Sequence, residues 1–256
     1  MEKKILLIVL ACCYFQLGFN QEIDKLVKDF KSSDWTVVVV AKKNLENFEA
    51  KALPELINLL NDNSVIKLEN IGDLIYPGAE KFFGHGQIIN YHIDKISIRA
   101  GWLIEELTFQ NFGFSGIHIQ ESKLIDYIKF SFPEYYNNSS NRQKLENSST
   151  LEKRDLIMKL SYDKVINWWK KESGNWNRFN AIMDALNSTD EKRQVKALFY
   201  IRNGTTKCTG LTKDKYESEI RDKINELSKV KLKRVSEHAK LILLDKNYEW
   251  LNIKQD

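Results

Sequence analysis

The chain has 256 residues, of which 43% are hydrophobic and 29% charged, with three cysteines, three prolines and a formal net charge of +4 at pH 7. Two of the cysteines, Cys12 and Cys13, fall in an N-terminal apolar run, so a mature chain keeping Cys208 alone can hold neither an internal disulfide nor a paired-cysteine zinc site. Beyond that run no segment reaches the roughly eighteen uninterrupted apolar residues of a membrane span.

The first twenty residues, MEKKILLIVLACCYFQLGFN, pair two lysines with an apolar run from Ile5 to Leu17 and then small and polar residues. This is the layout of a secretory signal: a cationic start, a short apolar stretch and a processing zone. Cleavage near Asn20 would leave residues 21–256. Val9-Leu10-Ala11-Cys12 instead resembles a bacterial lipobox, which would lipidate Cys12 and tether the chain to a membrane. The expectation is an exported protein, periplasmic or secreted, with anchorage through Cys12 as the alternative.

Asp34–Phe48 looks locally like a strand because of its four consecutive valines. Trp35, Val38, Val39, Leu45 and Phe48 nevertheless share a helical face, and Ser33 or Asp34 is placed as an N-cap, so a helix is expected. Further on, FFGHGQIINYHID (Phe82–Asp94) gathers two histidines, two glycines and an aspartate into a long connection between helices. Connections of that length carry function more often than short ones. His85, His92 and Asp94 are candidate metal ligands, but a spacing of seven between the histidines fits no familiar zinc pattern. Asp94 has a competing role as N-cap of the next helix, and Tyr91 joins the histidines as candidate lining for a binding surface. Tyr135–Thr150 is rich in Asn and Ser and reads as a flexible connection, with a subdomain boundary near residues 137–150. Trp169 continues the apolar stripe of Val165 and Ile166, which leaves Trp168 as the aromatic available for recognition. From Asp190 to Lys246, fifteen Lys and Arg stand against nine Asp and Glu, a net of +6, densest in KVKLKR, Lys229–Arg234.

Apolar residues recur at offsets of zero, four and seven in three places: Leu53, Ile57, Leu60; Phe179, Met183, Leu186; and Ile220, Ile224, Leu227. The second and third runs lie 41 residues apart, and the first lies 126 before the second. A period of about forty residues with two helices each is the mark of a helical array. Ile98-Arg99-Ala100 and Val195-Lys196-Ala197 each place a cation between an apolar and a small residue, with Asp190 six positions before Lys196. On these residues the chain resembles the HEAT and armadillo repeat family, although Asp94 stands only five before Arg99 and the last repeat carries His238-Ala239-Lys240. The resemblance implies an all-α solenoid of about five helix pairs with one long inserted loop. The pairs fall at 22–48; 53–61 with 95–109; 121–131 with 151–171; 176–187 with 191–202; and 214–228 with 231–244.

No phosphate-cradling glycine loop, nucleophile elbow or paired carboxylate points to catalysis, and adjacent Glu105 and Glu106 face different directions on a helix. The expected function is therefore non-enzymatic, without a cofactor: an interaction or scaffold protein of the bacterial envelope that recognises a protein partner. Surface candidates are Tyr91, Arg99, Trp102, Trp168, Lys196, Tyr200, Lys231, Lys233 and Arg234. The basic C-terminal segment suits an anionic membrane or polysaccharide, and nucleic acid is not an expected partner, because an exported protein rarely meets it. Two alternatives remain: a metal-binding protein or metal-dependent hydrolase built on His85, His92 and Asp94, and an immunity or inhibitor protein.

Overall fold

The computed structural model describes residues 21–73 and 92–254, so the first twenty residues, in which a leader is expected, Cys12 among them, and His85 and Tyr91 lie outside the described residues. Among these the chain is mostly helical and forms no strand, only isolated bridges such as Val65 with Lys95. No described helix is long and apolar enough to cross a membrane.

Helix α1 covers 21–30, followed by α2 (Trp35–Asn47) and α3 (Leu53–Leu59). The four valines of α2 disfavour a helix locally, yet the helix forms. Asp34 caps it, its carboxylate accepting from the Thr36 amide at 2.8 Å, a cap of the kind worth about 1 kcal/mol. Trp35, Val38, Ala41 and Leu45 are buried at helical spacing while Val40 is left exposed, so packing of one face overrides β propensity.

Helix α4 (Ile96–Thr108) is buried on nearly every side, as a helix enclosed by its neighbours must be. Its N-cap is Lys95, not Asp94. Gly101 admits the 3-10 turn Phe114–His118, because a Cβ there would stand 2.4 Å from the Phe114 ring. The helix ends at Phe109 in the left-handed region, φ 55°, a conformation that non-glycine residues rarely adopt. Its ring is buried against Tyr200 at 5.3 Å, which repays that backbone cost by packing.

After α5 (Leu124–Ser131), the Asn/Ser-rich stretch expected as a flexible connection is instead two short helices, α6 (Pro133–Asn137) and α7 (Ser139–Glu146). Its polar residues serve as helix ends. Pro133 opens α6, Asn138 caps α7 through the Asn141 amide at 3.1 Å, and Ser149 and Glu152 form a reciprocal capping box at the start of α8 (Thr150–Glu172). Leu145, 1% exposed, pins α7 to the core.

The C-terminal part comprises α9 (Arg178–Asn187), α10 (Glu191–Asn203), α11 (Lys213–Lys215), a π-helical turn (Tyr216–Ile220) leading into α12 (Arg221–Leu227), and α13 (Lys233–Leu244). Asp190 caps α10 through the Lys192 amide at 2.8 Å. Helix α9 packs on α10 and α12 on α13, and across these pairs α10 meets α13 and α9 meets α12. Buried apolar residues form two clusters, one from residues 23 to 165 and one comprising Phe109 and residues from Phe179 to Ile253.

Candidate functional site

The groups that the sequence placed on a partner surface separate into those turned inward and those left in solvent. Arg99 is 2% exposed, and its guanidinium donates to four backbone carbonyls: Ile93 at 3.1 Å, Phe30 at 2.8 Å, Ser32 at 3.0 Å and Ile66 at 3.2 Å. It ties the end of α1 and the 64–68 segment to the head of α4. Burial pulls its pKa down to about 10, against the opposing pull of Asp94. Asp94 completes this latch: its carboxylate accepts from the Leu68 amide at 2.9 Å and its carbonyl from the Ile66 amide at 2.7 Å. Asp94 thus clips an extended segment in place of the expected cap. His85 and the His92 side chain lie outside the described residues, and no group of three potential metal ligands occurs among those described.

Trp102 and Tyr200 are likewise core residues, contrary to expectation. The Tyr200 hydroxyl donates to the Thr206 carbonyl at 2.7 Å, and its ring lies under the Arg178 guanidinium at 4.3 Å. Lys196 is half-buried, donating to the Gln110 carbonyl at 3.0 Å and standing 3.6 Å from Glu105. Trp168 is half-buried and edge-on to Phe112 and Trp176, so its face serves mainly packing. Glu105 and Glu106 diverge as their adjacency requires: Glu105 accepts from the Gly113 amide at 2.7 Å, and Glu106 pairs with Lys42.

The densest polar constellation was not foreseen. Arg178, 1% exposed, donates to Glu46 Oε2 at 3.2 Å, Thr206 Oγ1 at 3.0 Å and the Lys207 carbonyl at 3.1 Å. Thr206 in turn donates to Glu46 Oε2 at 2.8 Å, and Lys42 reaches Glu46 at 2.7 Å. Burial alone would raise the Glu46 pKa, but Lys42 and Arg178 outweigh it and hold the carboxyl well below the usual range. A hydroxyl between a carboxylate and a guanidinium has the parts of an activated nucleophile, yet Thr206 is 4% exposed and offers a substrate no approach. The cluster instead locks the end of α2 to the start of α9 and the 206–209 turn. Nothing local announced it, since Glu46 and Arg178 lie 132 residues apart. Cys208, alongside, is also buried, and desolvation pushes its thiol up to about 12, so it is not a nucleophile at neutral pH.

Two features reach solvent at the C-terminal end. A cleft of about 340 Å³ opens between Tyr216, Arg221, Ile242, Asp245, Lys246 and Tyr248, a size within the range of small-molecule sites. Its polar groups are largely spent internally: Arg221 and the Tyr248 hydroxyl both bind Glu217, and Asp245 accepts from the Asn247 and Trp250 amides. The outer flank of α13 and the turn before it are the other feature. Lys231, Lys233 and Arg234 are exposed there, the Lys233 side chain to 85%, as the sequence anticipated. Leu244 and Trp250 close the same end, 73% and 75% exposed. Comparison with protein-family models, with curated proteins and with solved structures finds no match for this chain.

Proposed function

We propose that this is a non-enzymatic interaction protein of the bacterial envelope, a HEAT-like helical stack that docks an acidic partner on the outer flank of α13. The observation that carries the reading is the sorting of its charged residues. Arg99 and Arg178 are consumed by internal carbonyls and carboxylates, whereas Lys229, Lys231 and Lys233 are exposed to solvent around the start of α13. Like-on-like packing of α9 with α12 and of α10 with α13 supports the repeat arrangement, because solenoids bury a continuous core by stacking equivalent helices. The buried states of Thr206 and Cys208 weigh against catalysis by those groups.

Photo-crosslinking in envelope preparations tests this, with the reactive side chain placed at Lys233 or, as a core control, at Tyr200. Adducts form from position 233 and not from 200, and they fade with salt and with Lys231→Glu/Arg234→Glu. Adducts indifferent to both salt and charge reversal would sink the electrostatic docking surface.

A further inference from the structure

We infer that the α13 flank is a seat for an anionic lipid bilayer, with Leu241, Leu244 and Trp250 entering the headgroup boundary and lysines facing the lipid phosphates. The inference rests on the reading of that flank as the docking surface and assigns its occupant.

Val235, Ser236, Ala239 and Ile242 are buried against α10 and α12. At 100° per residue, the opposite arc of α13 carries Lys233, Glu237, Lys240, Leu241 and Leu244. Lys233 thus opens the exposed stripe, Lys240 stands directly before Leu241, and the two leucines close it. The single acid on the arc, Glu237, lies 3.9 Å from Lys233.

The turn after the helix extends the apolar end. Asp245 accepts from the Trp250 amide at 2.6 Å and from the Asn247 amide at 3.1 Å, which folds residues 246–250 back against the helix terminus. The Trp250 backbone is thereby held at Asp245, the residue after Leu244; Trp250 and Leu244 are both about three-quarters in solvent, with Leu241 40% exposed and Lys246 between Leu244 and Trp250 in sequence. An exposed indole, two leucines and flanking lysines match an amphipathic surface that lies in the bilayer interface, where Trp prefers the headgroup level and Lys meets anionic lipid. The net excess of cations over the C-terminal segment selects a negatively charged lipid over a neutral one.

Tryptophan emission of the full-length chain is read with vesicles of phosphatidylglycerol and phosphatidylcholine against vesicles of phosphatidylcholine alone, with brominated lipid as quencher. Trp250 is the most exposed described tryptophan, since Trp35 and Trp102 are buried and Trp168, Trp169 and Trp176 half-buried, so the signal reports this end. A blue shift and quenching appear with the anionic vesicles only. Lys233→Gln/Arg234→Gln weakens binding roughly thirtyfold, Leu241→Ser/Leu244→Ser at least about tenfold, and Trp250→Phe abolishes the shift while cosedimentation persists. Capture by dextran sulfate without vesicle binding overturns the lipid assignment and leaves the docking surface standing; binding to neither overturns both. Equal response to neutral vesicles, or vesicle binding without quenching and unchanged by Leu241→Ser/Leu244→Ser, also overturns the bilayer seat.

Discussion

Arg178→Met removes a guanidinium that holds three segments together while keeping most of the side-chain volume. Glu46 then loses the partner at 3.2 Å, and the Lys207 carbonyl and Thr206 hydroxyl each lose a donor. Lys42 still reaches Glu46, so the carboxylate is weakened in its pairing but not orphaned. Breaking one side of a buried ion pair costs about 3–5 kcal/mol, and the surviving Lys42 contact places this case near the lower end. In a chain of this size that lowers the melting midpoint by roughly 10 °C. The companion Glu46→Gln variant tests the same cluster through pH. The folded pKa of Glu46 lies below its ordinary value of 4.5, so the carboxylate contributes stability that is fully present above about that value and is lost as pH falls through the lowered one. Urea titrations at pH 7 and pH 3 measure both effects. Wild type loses stability between these pH values, and Glu46→Gln loses less. An Arg178→Met cost under about 1 kcal/mol at pH 7 would refute the lock between α2 and α9.

Further expectations concern other parts of the fold. Arg99→Lys cannot reproduce four carbonyl contacts with one ammonium and is expected to cost about 2–4 kcal/mol, with faster amide exchange at Ile66 and Leu68; unchanged exchange there would refute the latch. Gly101→Ala drives a methyl group into the Phe114 ring and costs about 1–3 kcal/mol, whereas Gly174→Ala, with open space around it, is near neutral in the same denaturation assay. Cys208 resists thiol reagents at pH 8 in the native protein and reacts fully once denatured; rapid native labelling would contradict its burial.

Which stretches fold as helices was largely legible, and the reason is local. Burial of Trp35, Val38, Ala41 and Leu45 uses only the spacing within α2, and the Asp34 and Asp190 caps act on amides two residues away. Tyr135–Thr150 escaped because helix-capping residues are the same Asn, Ser and Pro that make linkers. The buried Leu145, with half-buried Tyr135 and Tyr136 packed on the core, distinguishes the two outcomes, and so few apolar residues in a polar stretch are a weak signal.

The placement of charge was not legible. Periodicity put Arg99 and Tyr200 on helices, but whether such a side chain meets water depends on what packs over it. For Arg99 the carbonyls that capture it lie between 6 and 69 residues away, and the partner of Glu46 is 132 residues distant. Lys231 and Lys233 are exposed, because no described segment covers the turn leading into α13. The sequence by itself thus determined most of the helices and many of their ends, since these rest on interactions within one or two turns. Only the tertiary structure decided which cations became internal latches and which stayed in solvent, because a charge enters the core only where remote segments converge to replace its lost water.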